Sequence, residues 1–228
     1  ASGPADKAPY GEAPAIAATI GAQLLTAVKA KQSRRLELMS TFSLALPSSV
    51  VLTILGIPSG DWPGILQWVG AVEMAHDITQ TAGVQGMGGT CAMALNTYFR
   101  ALIHGTRDSR CPFHAERGGV MHSLATEGIG DAPLMSAEEA QATAVNLAVA
   151  GFLSAAFLIG TGMLNLLGAA PDGSLRNPGG ERPIDVLRSR RELMPSAVEE
   201  MLRFDSPFQL TDRYVVNSDV MLGGVQLH

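Results

Sequence analysis

The chain has 228 residues with a formal net charge of −5, 46% hydrophobic and 16% charged, which excludes an intrinsically disordered polymer. No basic run is longer than Arg34-Arg35 or Arg190-Arg191, which argues against nucleic-acid binding. Aromatic residues are scarce at 5%, while Ala, Leu and Gly abound, a composition for helices packed closely through small residues.

Residues 1–14 are rich in Pro, Gly and Ala, lack a basic-then-apolar leader pattern, and read as a flexible lead-in to a single domain over 15–228. Ile16, Ile20, Leu24 and Val28 fall on one helical face, with Lys29, Lys31, Arg34 and Arg35 near its C-terminal end. Leu36 to Leu55 is a second apolar helical region, with an expected interruption at Pro47 and a cap from Ser48 or Ser49. Asp61-Trp62-Pro63 restarts a helix, Asp61 as cap and Pro63 in the first turn, running to about Thr79. Gly83 to Gly89 predicts a flexible break, and Thr90 to His104 a helix. Gly105 to Gly119 reads as loop and Val120 to Thr126 as a short helix.

Ser136-Ala-Glu-Glu139 is a capping box, and Ala142 to Ala170 then carries no charge. Such a run is long enough to span a bilayer, which takes about 20 residues. Its acidic flanks, the absence of a Lys/Arg cluster and the polar Asn146, Ser154, Thr161 and Asn165 favour a buried strut instead. As one helix from Ala137 to Gly168 it would be about 48 Å long. Pro171 to Arg182 is a loop, and Ile184 to Leu193 and Ser196 to Phe204 are short helices. Phe208 to Leu227 alternates and is β-branched, with a turn at Gly223-Gly224, so a small β element closes the chain.

Several side chains are candidates for chemistry. Glu73 and His76 share a helical face, and a His beside a carboxylate can act as acid or base near neutral pH; a solvated helix end is the plainer reading. Cys111 and His114 have Cys-x-x-His spacing, without the further ligands a zinc site requires. No metal site is expected. Two cysteines, Cys91 and Cys111, make no disulfide framework and fit a reducing cytoplasm.

Four segments together resemble the bacterial soluble cytochrome P-450 superfamily, the haem-thiolate monooxygenases. They are Ala150-Gly151-Phe152-Leu153-Ser154, "SAVEEMLRFDSP" with Glu200 and Arg203, "FQLTDRYVVNSDVMLGGVQL", and "LGIPSGDWPGILQWVGAV". The resemblance implies a mainly α, P-450-like fold round one long central helix, about 137–168. It implies an apolar pocket walled by Trp68, Ala150, Gly151, Phe152, Leu153 and Ala155. It makes Glu200–Arg203 an inward structural pair and Arg213 a haem-propionate-type partner.

The departures from that pattern shape the functional expectation. Where the family carries an acid followed by Thr, for proton delivery, this chain has Leu153 and Ser154, so only a hydroxyl survives. Neither cysteine lies in the sequence context of the family's axial thiolate. The expectation is a haem-free, truncated relative with no cofactor, binding a small apolar ligand of natural-product type. That ligand would undergo a non-oxidative conversion, with Ser154, His76 and Glu73 as candidate catalytic groups, or serve a partner biosynthetic enzyme. One alternative is a fragment of a working monooxygenase, for which haem would be the cofactor. Another is an interaction domain that forms a homo-dimer or docks a partner. No membrane association is expected.

Overall fold

The computed structural model describes residues 9–31, 35–77, 79–107, 119–126, 128–129, 132–133, 135–168, 180–209, 215 and 219–227. The fold is mainly α, with a small β hairpin at the end of the chain. A 3₁₀ turn at Pro9–Glu12 leads into α1, Ala13–Ala30, whose half-buried face is the predicted Ile16, Ile20, Leu24 and Val28. A π-helical turn, Met39–Ser43, then runs into α2, Ala45–Leu55, which Gly56 closes at φ +74°. The interruption expected at Pro47 therefore lies upstream of it. Pro47 sits in the first turn of α2, where a missing N–H does little harm. Ser48 does not cap a new helix; its hydroxyl donates back to the Leu44 carbonyl at 2.6 Å.

Helix α3, Trp62–His76, starts with Pro63 in its first turn as expected. Asp61 stands at the cap position but makes no cap bond. Its carboxylate instead accepts a hydrogen bond from the Tyr98 hydroxyl at 2.8 Å, tying α3 to a helix 37 residues on. The helix stops at Asp77, three residues short of expectation. Asp77 accepts from the Thr79 backbone N–H and hydroxyl and from Gln80, a local turn that competes with helix. Those bonds, the Thr79 hydroxyl foremost, hold the Asp77 carboxyl below its usual range.

Helix α4 runs unbroken from Ala82 to Arg107, so the break predicted at Gly83–Gly89 is absent. The reason is tertiary. A Cβ on Gly88 would lie 2.1 Å from the Ala75 Cβ and 3.1 Å from the Ala71 carbonyl, so α4 meets α3 where only glycine fits. Further along, Leu95, Phe99, Leu102 and Ile103 are fully buried at helical spacing and anchor α4 in the core.

Helix α5, Val120–Thr126, matches expectation; the ribbon of β1, Gly128–Ile129, with β2, Ala132–Pro133, was not foreseen. The capping box forms: the Ser136 hydroxyl accepts from the Glu139 N–H at 3.1 Å, and Glu139 accepts from the Ser136 N–H at 2.8 Å. It opens α6, Ala137–Ala150, followed by α7, Leu153–Leu166. The central strut is thus two helices with a break at Gly151–Phe152, not one. A Cβ on Gly151 would lie 2.4 Å from the Leu147 carbonyl and about 3.2 Å from a Val51 methyl. Phe152 leaves helical geometry at φ −122° and buries its ring, 3% exposed. By length and hydropathy, α1 and the α6–α7 stretch both qualify as membrane spans. In the fold, α6 turns Ala140, Ala144 and Ala148 inward, and its Gln141 amide donates to Asn96 of α4 at 2.9 Å.

The last elements are α8, Pro183–Ser189; a 3₁₀ turn, Arg191–Leu193; and α9, Met194–Phe204. Strands β3, Val220–Leu222, and β4, Val225–Leu227, pair antiparallel across Gly223 and Gly224, at φ +58° and +81°. Two successive positive φ values suit a tight hairpin and explain the paired glycines.

The Asp61–Tyr98 bond carries a pH signature. Burial first, then the bond to Asp61, pushes the Tyr98 phenol far above its ordinary value near 10. The unfolded chain therefore releases this proton before the folded one does. Stability from this source is whole below pH 10 and falls as pH rises beyond it. Tyr98→Phe is expected to cost about 1–2 kcal/mol at pH 7 and to flatten the decline above pH 10, read from urea midpoints across pH. A variant that declines as steeply as the parent would refute the assignment.

Candidate functional site

An apolar cleft lies where α3, α4 and α7 meet. The Gly88–Ala75 approach sets α4 close against α3, and the break at Gly151–Phe152 starts α7 so that Leu153 and Phe157, one turn apart, face them. The result is a cleft of 660 Å³. Its walls are Leu66, Gln67, Gly70, Ala71, Glu73 and Met74 of α3, Val84 and Met87 of α4, Leu153 and Phe157 of α7, and Leu44. Met74, Met87 and Phe157 are largely exposed at its lip. Unbranched thioethers at a mouth adapt to ligands of differing shape. The size falls within the usual range for small-molecule sites, and a mostly apolar wall with a few polar groups is their usual make-up.

Of the residues singled out in the sequence, Leu153 and Glu73 meet in this cleft although 80 positions separate them. The others are placed elsewhere. Trp68 packs against the core, edge to face with Tyr98 at a centroid distance of 6.3 Å. Phe152 is likewise in the core rather than on a pocket wall. Ala150 and Gly151 are exposed at the helix break, and half-buried Ala155 is not part of the lining. The Ser154 hydroxyl donates across the break to the Ala150 carbonyl at 3.2 Å, so its hydrogen is already engaged. His76 is mostly exposed, its Nδ1 3.9 Å from a Glu73 carboxylate oxygen and outside the cleft lining.

Glu200 and Arg203 form a two-pronged ion pair, with contacts of 2.6 and 2.7 Å, on the surface rather than inward; their side chains are 58% and 69% exposed. Each holds the other charged, lowering the Glu200 carboxyl and raising the Arg203 guanidinium, with the hydrogen bond as main cause. Glu200 also borders, with Ala197, Met201 and Phe204 of α9, a second apolar cleft of 500 Å³ against α7 and α8, and a Cβ on Gly162 of α7 would lie 2.7 Å from the Met201 sulfur. This cleft was not anticipated, although Leu193, Ala197, Met201 and Phe204 recur at helical spacing and carried the signal. Arg213, Cys111 and His114 lie outside the described residues.

No protein-family model matches the chain. It is similar to the biotin biosynthesis cytochrome P450 of Bacillus subtilis (strain 168), 29% identical over 204 residues, covering 90% of this chain and 46% of that protein. Among solved structures it resembles P450BioI in complex with hexadec-9Z-enoic acid ligated acyl carrier protein. There the TM-score is 0.75 at 28% identity, over 96% of this chain and 50% of that one. The chain is cytochrome P450-like. A further likeness is to CYP109E1 from Bacillus megaterium in complex with testosterone, TM-score 0.70 at 25% identity, over 97% of this chain and 54% of that one. The P450-like chain thus spans less than half the length of the B. subtilis relative.

P450 proteins work with haem, so the cleft was tested against that group. Its apolar wall and the open space beside Gly70 suit a flat or bulky apolar body. Its lining contains no Cys or His, and Cys91, half-buried on α4, is outside it. The described residues of the P450-like chain therefore do not fit the axial ligation of a haem.

Proposed function

We propose that this chain forms the substrate-holding part of a haem-thiolate monooxygenase, and that the α3–α4–α7 cleft receives a small apolar molecule. The observation that carries the reading is the cleft itself: 660 Å³ of mostly apolar wall, in a chain whose fold is similar to P450 structures. The similar structures were solved with a long unsaturated acyl chain and with a steroid, both largely apolar. A second reading, a haem-free relative that binds without oxidising, draws on Leu153. That residue puts an isobutyl group on the cleft wall at the family's acid position, and the neighbouring Ser154 hydroxyl is bonded to Ala150.

The test uses testosterone as a neutral apolar probe. At about 30 times its Kd, a ligand that binds only the folded state adds about 2 kcal/mol, a rise of about 4–8 °C in Tm for a chain of this size. Leu153→Trp fills the cleft and is expected to abolish most of that rise while leaving the unliganded melt within a few degrees. No rise in the parent, or an equal rise in the variant, would place the ligand elsewhere. An absorbance titration with added haem then bears on the second reading: a Soret band that intensifies and shifts on binding would overturn the haem-free relative.

A further inference from the structure

Resting on the reading of the α3–α4–α7 cleft as a ligand site, we infer that its ligand is an apolar body bearing one basic amine, and that Glu73 is the residue that selects it. Among the described lining residues Glu73 is the one titratable side chain; apart from Gln67, the rest of the wall is apolar. Among the described residues no Lys, Arg or His lines the cleft to neutralise it, and its ion-pair contact is to His76 at 3.9 Å, a side chain that is 67% exposed and not part of the cleft lining. A contact so long and so exposed holds the carboxylate weakly.

Space for a partner lies beside the carboxylate. Gly70 is one turn back on the same face of α3, and nothing lies within 4 Å of where its Cβ would be. A ligand group standing over Gly70 is within reach of Glu73. Glu73 is 30% exposed, enough to keep its charge solvated without a ligand and little enough to strengthen an ammonium contact beyond that of an open surface pair. The same carboxylate repels an acidic ligand. The cleft therefore ranks ligands of one shape as amine, then neutral alcohol, then carboxylic acid.

The experiment is calorimetric titration of the 228-residue chain at pH 8 and low salt, where an alkylamine is protonated. The probes are 1-adamantanemethylamine, 1-adamantanemethanol and 1-adamantanecarboxylic acid, which share one rigid apolar cage. The amine is expected to bind about tenfold more tightly than the alcohol, and the acid more weakly than either. Glu73→Gln is expected to bring the amine to the alcohol's affinity while moving the alcohol itself less than about threefold. Glu73→Asp is expected to retain part of the preference. Equal binding of amine and alcohol by the parent chain, or a preference that survives Glu73→Gln, overturns the assignment of Glu73 while leaving the cleft as an apolar site. If even the alcohol fails to bind, the cleft reading falls and this inference falls with it.

Discussion

Phe99→Ala is expected to lower the stability of the folded chain by about 3–5 kcal/mol, measured by urea unfolding. Phe99 is fully buried and heads the largest buried side chains of the described residues. Its helix, α4, packs on α3, α5 and α6, so a cavity left there is felt across three interfaces. The ring also meets Tyr98 edge to face, with centroids 5.4 Å apart and planes at 84°, an arrangement worth about 0.5–1.5 kcal/mol beyond area burial. Small domains have about 5–15 kcal/mol in all, so a loss of this size leaves little margin. Phe99→Leu, which keeps most of the volume, is expected to cost clearly less. A loss below about 1 kcal/mol for the alanine variant would mean that α4 is not the centre of the core.

The elements legible in the sequence were those whose signal is local. The Ile16–Val28 face, the Ser136–Glu139 capping box and the Gly223-Gly224 turn each encode their geometry within a few residues, and each formed. Where the expectation failed, a distant partner had decided the matter. Asp61 has the identity and position of a cap, yet Tyr98 claims its carboxylate. Gly151 and Phe152 sit in an apolar run that reads as unbroken helix, yet Val51 and the core determine the break. The family resemblance makes Glu200–Arg203 an inward pair, and in this chain both side chains are more than half exposed, Glu200 at the rim of the α7–α8–α9 cleft. The cleft shows both sides of this. The resemblance points to Leu153 and the spacing to His76 points to Glu73; nothing local in either stretch says that both line one cleft.

The glycine run offers the sharpest case, because its members are expected to respond with opposite signs. In a helix interior, glycine is about 1 kcal/mol less favourable than alanine. Gly86 and Gly89 lie within α4 with nothing within 4 Å of an added Cβ, so Gly86→Ala and Gly89→Ala are each expected to stabilise by about 0.5–1 kcal/mol. Gly88, between them, would place a Cβ 2.1 Å from that of Ala75, deep inside van der Waals contact. Neither group is the flexible end of a long side chain, so α3 and α4 must move apart. Overpacking of that kind costs about 1–3 kcal/mol, and Gly88→Val, larger and β-branched, belongs at or above the top of that range. The effect reaches the cleft, because Glu73 and Met74 on α3 stand opposite Val84 and Met87 on α4, about one turn from the contact. Gly88→Val is therefore expected to weaken binding of the neutral apolar probe along with stability, whereas Gly86→Ala leaves binding intact and raises the melting temperature. The double variant Gly88→Ala/Ala75→Gly moves the missing Cβ from one helix to the other. It is expected to recover much of the loss of Gly88→Ala alone, since the 2.1 Å contact no longer exists. Failure of that rescue, with equal destabilisation from all three glycine-to-alanine changes, would show that α4 does not close on α3 at this point and that the cleft is not shaped by it.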